Sequence, residues 1–176
     1  MRTGEWMQTF SGGQFWPLDP RADEVNIVDI ASALSMQCRY AGHVLQFYSV
    51  AEHSVHLANY MRDPDEKRWA LLHDASEAYL VDVPRPVKPY LEGYKAAETR
   101  VMEAVCLRYG LSPQMPRAVH EADNRIIADE RCNLAACVAP WDYHEEPLGV
   151  GLDFMPPWMA KRAFLDLFYA LFPHER

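Results

Sequence analysis

Apolar residues recur at helical spacing along most of this chain, and this periodicity limits the fold more than any other feature of the sequence. The first clear stripe repeats at i, i+3, i+4 and i+7 and comprises Ile27, Ile30, Ala31 and Leu34. Strand-like alternation is confined to a short N-terminal stretch, which accommodates at most a small hairpin around Gly12 and Gly13. The pattern therefore predicts an all-α fold.

Capping residues and prolines set the boundaries of the predicted helices. Ser49 followed by Glu52 has the spacing of a capping box at the start of one helix, and Gly110 is a suitable C-cap for another. Besides a helix that begins near Asn26, helices are predicted over residues 50–62, 65–80, 93–109, 117–139 and 157–172. About six helices thus form one domain over residues 1–176, with an irregular segment at 1–25 and a loop at 140–155.

Composition and charge exclude several classes of protein. The net charge of −8 argues against a protein that coats nucleic acid, and any anionic substrate must be met by a local cluster of cations or a metal. No apolar run approaches the roughly 18 residues of a membrane helix, and the N-terminus lacks the apolar segment of a signal peptide. We therefore expect a soluble protein of the cytoplasm (that of the host, if the chain is encoded by a phage) with four reduced cysteines.

Three predicted helices carry polar side chains inside their apolar stripes. These residues are His53, the adjacent pair His73 and Asp74, and Asp123. A buried carboxylate without a partner is costly and is normally excluded from such a stripe. If the four side chains converge on a cation, the cost disappears, and two imidazoles with two carboxylates suit a divalent transition metal with open coordination positions. Co²⁺, Mn²⁺, Zn²⁺ and Fe²⁺ all fit this description.

The order of these residues resembles the H…HD…D signature of the HD-domain metal-dependent phosphohydrolases. Residues 73–88 extend the resemblance, because they read HDASEAYLVDVPRPVK. This segment is similar to the HDxxE…D(L/V)PxPxK segment of bacterial 5'-deoxynucleotidases and of phage dATP triphosphohydrolases. The resemblance covers about residues 26–135. It implies a single HD-domain helical bundle that hydrolyses a phosphoester bond of a deoxynucleotide.

The resemblance also implies a role for each matching residue. The metal ligands would be His53, His73, Asp74 and Asp123. Glu77 matches the acidic residue that orients or deprotonates the attacking water, and Asp82 matches a residue near the sugar hydroxyls. Arg39 and Lys88 match phosphate-binding cations.

Three further substrate contacts are less closely matched to the family pattern. Tyr40 stands where many relatives have a tryptophan that shapes the base pocket, and His120 stands where triphosphohydrolases have a lysine. His43 has no counterpart in the pattern, but it lies in the same loop as Arg39. The Arg39–His43 loop, Arg85, Lys88 and His120 could supply a cationic wall around a triphosphate.

The residues by themselves leave alternatives open. Asp129 could take the metal-binding role that we assign to Asp123. Arg39 could form a salt bridge to Glu52 instead of contacting phosphate.

Several functions are compatible with this set. The short chain and the basic proline loop resemble those of the phage dATP enzymes, and this resemblance favours a dNTP triphosphohydrolase with dATP as a candidate substrate. A 5'-deoxynucleotidase that acts on dNMPs is the alternative. A hydrolase of cyclic nucleotides or alarmones and a non-catalytic nucleotide-binding module are less well matched. Homo-oligomerisation is also expected, because some aromatic residues exceed the needs of a small core: Trp141, Tyr143, Phe154 and Trp158.

Overall fold

The described chain is mostly helical. The computed structural model describes residues 2–139, 141 and 144–175, so Pro140 and Tyr143 of the predicted loop lie outside the described residues. Within them are six helices of nine residues or more and one single-turn helix: α1 (Ile27–Met36), α2 (Val50–Tyr60), α3 (Pro64–Leu72), α4 (Glu77–Leu80), α5 (Tyr94–Tyr109), α6 (Arg117–Glu130) and α7 (Pro157–Leu171). The predicted all-α class and the approximate number of helices are confirmed.

Local capping explains where several helices begin and end. The Asn26 side chain accepts a hydrogen bond from the backbone N–H of Val28 at 2.8 Å and starts α1. Ser49 Oγ likewise accepts from the N–H of Glu52 at 3.1 Å and starts α2. Gly110 ends α5 in the left-handed conformation with φ of 65°, which a residue with a side chain rarely adopts.

The core lies around α2, which packs against α1, α3, α6 and α7. Its centre consists of fully buried aliphatic and aromatic side chains, among them Ile30, Leu34, Leu57, Leu71, Leu72, Phe164 and Phe168. Each such side chain contributes about 1.5–3 kcal/mol by leaving water. The polar residues singled out above lie on α2, on α6 and on the turn after α3, so the contacts of α2 with α3 and α6 bring them close together.

A short hairpin closes one side of the bundle. Strands β1 (Met7–Gln8) and β2 (Gln14–Phe15) pair in antiparallel register, as the Gly12-Gly13 dipeptide suggested. Phe15 is fully buried and stacks on Tyr79 with 3.7 Å between ring centroids. The hairpin therefore contributes Phe15 to the core beside α4, while its other strand residues are exposed.

Two predicted helices differ from those in the structure. The helix predicted over 65–80 is interrupted at residues 73–76 by a tight turn, in which the N–H of Glu77 donates to the carbonyl of Asp74 at 3.0 Å. The helix predicted over 117–139 ends at Glu130, and a 3₁₀ turn (Arg131–Asn133) follows. Asn133 is held by two hydrogen bonds to the backbone of Gln46, at 2.8 and 2.9 Å, and this distant contact redirects the chain.

The predicted loop before α7 is fixed by two carboxylates. Asp129 accepts hydrogen bonds from the N–H groups of residues 148–150, and Glu52 accepts from those of residues 153–155. Glu52 therefore completes no capping box with Ser49, although the Ser49 cap itself forms. Among the described residues, no helix is both long enough and apolar enough to traverse a lipid bilayer.

Candidate metal centre

Four side chains from α2, α6 and the turn after α3 converge on one point. The Nε2 atoms of His53 and His73 lie 3.3 Å apart. Asp123 Oδ1 lies 3.2 Å from His53 Nε2 and 3.6 Å from His73 Nε2. Asp74 Oδ2 lies 3.2 Å from His73 Nε2 and 3.8 Å from His53 Nε2. The residues predicted to be ligands are thus brought together, and His53, His73 and Asp123 form a group able to hold a metal ion.

The second ring nitrogen of each histidine has its own partner. His73 Nδ1 lies 2.8 Å from the carbonyl oxygen of Ala70, which can only accept, so this nitrogen carries the proton. His53 Nδ1 lies 2.7 Å from Glu130 Oε1. When both rings are neutral, each Nε2 atom turns a lone pair towards the other, and two lone pairs cannot hydrogen-bond without a proton or a cation between them. This donor set fits a divalent transition metal.

The charges at this point favour a cation. Burial opposes protonation of His73, but Asp74 and Asp123 outweigh it and raise the pKa of His73 well above its usual range. Burial also opposes ionisation of the two carboxyl groups, but the adjacent histidines lower the pKa of Asp74 to about 2 and hold the pKa of Asp123 well below its usual range. Without a metal, a proton on His73 balances the carboxylates.

Glu130 belongs to this site and was missed by the sequence reasoning. Its side chain is fully buried at the end of α6 and accepts from Tyr40 Oη at 2.5 Å and from an Arg39 nitrogen at 3.1 Å, besides contacting His53. Burial opposes its charge, yet Arg39 and His53 lower the pKa of Glu130 to about 2. The sequence does contain a signal for Glu130. It follows Asp123 by about two turns of about 3.6 residues, so the two side chains lie on the same helix face.

Arg39 and Tyr40 reach the centre from a tight loop between α1 and α2. Arg39 NH1 lies 3.8 Å from Asp74 Oδ2. The alternative in which Arg39 pairs with Glu52 is therefore wrong, because its partners are Asp74 and Glu130. Tyr40 and the next residue, Ala41, both have left-handed φ angles of 56° and 52°, so this loop is strained and depends on its contacts.

Glu77 and Lys88 form a second pair beside the centre. Glu77 is buried, and Lys88 Nζ lies 3.2 Å from Glu77 Oε1 and 3.0 Å from Glu98 Oε1. Burial and the nearby charges of Asp74 and Asp82 raise the pKa of Glu77 to about 9, against the opposing effect of Lys88. Among the described residues, Glu77 Oε2 has no hydrogen-bond partner, so a buried oxygen is available to a ligand.

The other predicted contacts lie further from this point. Asp82 is half-buried, burial raises its pKa, and its N–H donates to Gln37 Oε1 at 2.9 Å. His120 is exposed on α6, where its Nδ1 lies 3.3 Å from an Asn124 nitrogen. His43 is exposed, and within the described part of the chain neither histidine forms a hydrogen bond or ion pair with the four convergent side chains. The Asp129 carboxylate accepts hydrogen bonds from the backbone of residues 148–150, so it does not take the place of Asp123 among the convergent side chains.

A cavity of about 330 Å³ opens beside the convergent side chains. His73, Asp74 and Asp123 line one side of it, and α5 lines the other with Glu98, Thr99, Met102 and Glu103. Sequence reasoning did not place α5 at the site. The volume is at the lower end of the range typical of small-molecule sites.

Comparison with known proteins gives two relatives. The uncharacterized protein YfdR of Escherichia coli (strain K12) is 42% identical over 129 residues, which cover 73% of this chain and 72% of the relative. The uncharacterized protein RCAP_rcc00048 of Rhodobacter capsulatus is 32% identical over 179 aligned positions, which cover 90% of this chain and 91% of the relative. No protein-family model matches the chain.

Proposed function

This chain belongs to the protein family of YfdR and RCAP_rcc00048, and we propose that it is an HD-domain phosphohydrolase that cleaves the 5' phosphoester bond of deoxynucleotides with a bound divalent metal. One observation carries the proposal: the Nε2 atoms of His53 and His73 lie 3.3 Å apart between the carboxylates of Asp123 and Asp74. Such a set is costly without a cation and has the composition of a hydrolytic metal site.

The residues that would hold the metal are His53, His73, Asp74 and Asp123. When bound, a divalent metal supplies an acidified water and polarises a phosphoryl oxygen. Arg39 stands beside Asp74, where its guanidinium can neutralise charge that develops on the phosphoryl group.

Glu77 is the residue best suited to handle the proton. A general acid or base works best when its pKa lies near the working pH. Without a metal, burial raises the pKa of Glu77 to about 9, a bound cation beside it would lower that value towards neutral pH, and its buried Oε2 has no partner among the described residues. Lys88, 3.2 Å from the other oxygen, fixes the carboxyl group in place.

The sequence favours a dNTP triphosphohydrolase, but a specific observation favours the second candidate, a 5'-deoxynucleotidase. Arg39 is paired with Glu130 and Asp74, and Lys88 is paired with Glu77 and Glu98. Glu98 and Glu103 also line the cavity. Like charges repel strongly in a half-buried cavity, so this wall disfavours two additional phosphates.

A product assay tests the proposal. The metal-loaded protein is incubated with the four dNTPs and the four dNMPs, and the released phosphate species are identified by chromatography. Triphosphate with deoxynucleoside supports a triphosphohydrolase, whereas phosphate released from dNMPs alone supports a 5'-deoxynucleotidase.

Variants separate the proposed site from a contaminating activity. His73→Ala and Asp123→Asn should reduce turnover to background, and the exposed His174→Ala at the far end of the chain should leave it unchanged. Full turnover in both site variants would refute the proposal. Tight nucleotide binding without turnover would identify a non-catalytic binding module instead.

A further inference from the structure

The carboxylate of Glu130 is shared between a proposed metal ligand and the loop that carries Arg39. Its Oε1 faces His53 Nδ1 at 2.7 Å. Its Oε2 accepts from Tyr40 Oη at 2.5 Å and from Arg39 NH2 at 3.1 Å. The side chain has no exposed surface, so water does not compete for these contacts.

These contacts close a ring around the centre. Arg39, held by Glu130 through NH2, places NH1 3.8 Å from Asp74 Oδ2. Asp74 in turn lies 3.2 Å from His73 Nε2, and His73 faces His53 at 3.3 Å. One carboxylate thus joins His53 and Arg39, which come from different segments of the chain.

We infer that Glu130 is a positioning residue that keeps the Nε2 lone pair of His53 directed at the metal and holds Arg39 beside Asp74. The inference rests on the proposed function and adds to it a residue that touches neither substrate nor metal. A carboxylate offers acceptors on both oxygens, so it can serve the imidazole on one side and the two donors on the other. The proton on Nδ1 then leaves Nε2 free to bind.

The amide of glutamine cannot replace this arrangement. If its oxygen faces Arg39 and Tyr40, its NH₂ group faces His53 Nδ1, and the ring must move its proton to Nε2 to accept the bond. A protonated Nε2 cannot bind a metal. If the amide is reversed, its NH₂ group meets the donors of Arg39 and Tyr40 instead.

The test measures metal affinity without nucleotide. The full chain is stripped with a chelator and titrated calorimetrically with Mn²⁺ and with Co²⁺. Glu130→Gln should weaken metal binding by about 10–100-fold, the usual effect of losing a partner behind a ligand. Asp29→Asn is the matched control, because Asp29 is also a buried carboxylate but accepts hydrogen bonds from the N–H and the hydroxyl of Ser11, away from the convergent side chains. It should leave the affinity unchanged, and an unchanged affinity in Glu130→Gln would overturn the inference.

A second measurement needs no variant and covers the case in which Glu130→Gln does not fold. Nitrogen-15 NMR of the wild-type protein loaded with Zn²⁺ reports which ring nitrogen of His53 binds the metal. The inference requires Nε2 to be bound and Nδ1 to be protonated, and binding through Nδ1 would overturn it. Both measurements are independent of turnover. A wild-type protein that binds metal but hydrolyses no nucleotide would refute the proposed function and leave the role of Glu130 intact.

Discussion

The Nε2 atoms of His53 and His73 face each other at 3.3 Å. In the neutral rings, neither Nε2 atom carries a proton that it could donate to the other. Each ring has its hydrogen-bonded partner at Nδ1, Glu130 in one case and the Ala70 carbonyl in the other. Two acceptors this close, flanked by Asp74 and Asp123, are stable only around a positive charge. A proton can supply that charge, but a metal bound by all four side chains supplies it better.

Metal binding should therefore stabilise the fold. A ligand at about one hundred times its dissociation constant adds about 2.7 kcal/mol to the free energy of unfolding. We expect Co²⁺ or Mn²⁺ to raise the melting temperature of the chelator-treated protein, and His53→Ala and Asp123→Ala to abolish that rise. Thermal denaturation followed by circular dichroism checks this. His174→Ala should keep the full shift, and a shift that persists in both site variants would place the metal elsewhere.

The charge of Glu77 should make the metal-free protein sensitive to alkaline pH. Its pKa is raised from 4.5 to about 9 in the native state, so the folded protein keeps a proton that the unfolded chain loses. The free energy of unfolding should consequently fall as pH rises from about 5 to about 9. Glu77→Gln carries no charge and should lack this contribution, which makes it the more stable protein at the alkaline end. Urea denaturation in the presence of a chelator compares the two profiles. If the free energies of unfolding of the two proteins change in parallel between about pH 5 and 9, Glu77 is ionised over that whole range.

Glu52 should be a stability residue and not a site residue. Its buried carboxylate accepts three backbone N–H groups at 2.7–2.9 Å and fixes the loop before α7. Glu52→Gln should cost about 1–3 kcal/mol in urea denaturation, because buried donors lose their acceptor. Asp129→Asn removes the corresponding contacts of the half-buried Asp129 with residues 148–150 and should cost less. An equal loss of unfolding free energy in the two variants would show that the deeper burial of Glu52 does not make its contacts more stabilising than those of Asp129.

Two aromatic residues of α7 should differ sharply in their contribution to stability. Phe168 is fully buried and stacks on Phe172 at 4.6 Å between ring centroids, so Phe168→Ala should cost about 3–5 kcal/mol. Trp158 is 66% exposed on the same helix, and Trp158→Ala should change the stability by about 0.5 kcal/mol or less. Urea denaturation again provides the measurement. A large cost at Trp158 would point to a contact outside the single chain.

Local signals predicted the parts of the fold that depend on neighbouring residues. Asn26, Ser49 and Gly110 act within one turn of their own helices, so their effects can be read from the sequence. The ends of α6 and of α3 could not be predicted in this way. The first depends on Asn133 binding the backbone of Gln46, a residue far away in the chain.

The same distinction applies to the site. His53, His73, Asp74 and Asp123 could be recognised because each is a polar residue within or directly after an apolar helical stripe. Glu130 lies on the same helix face as Asp123, but its partners His53, Arg39 and Tyr40 are distant in sequence, and only the packing of α2 against α6 brings them together.

Whether the metal bound by the four convergent side chains carries the hydrolysis can be tested in one titration. The chelator-treated protein receives increasing Mn²⁺ or Co²⁺ in the presence of a deoxynucleotide, while bound metal and released product are measured at each step. Product formation should rise with bound metal, both should saturate together, and both should be lost in His73→Ala. Hydrolysis that proceeds without bound metal, or metal that binds tightly to His73→Ala, would contradict this expectation.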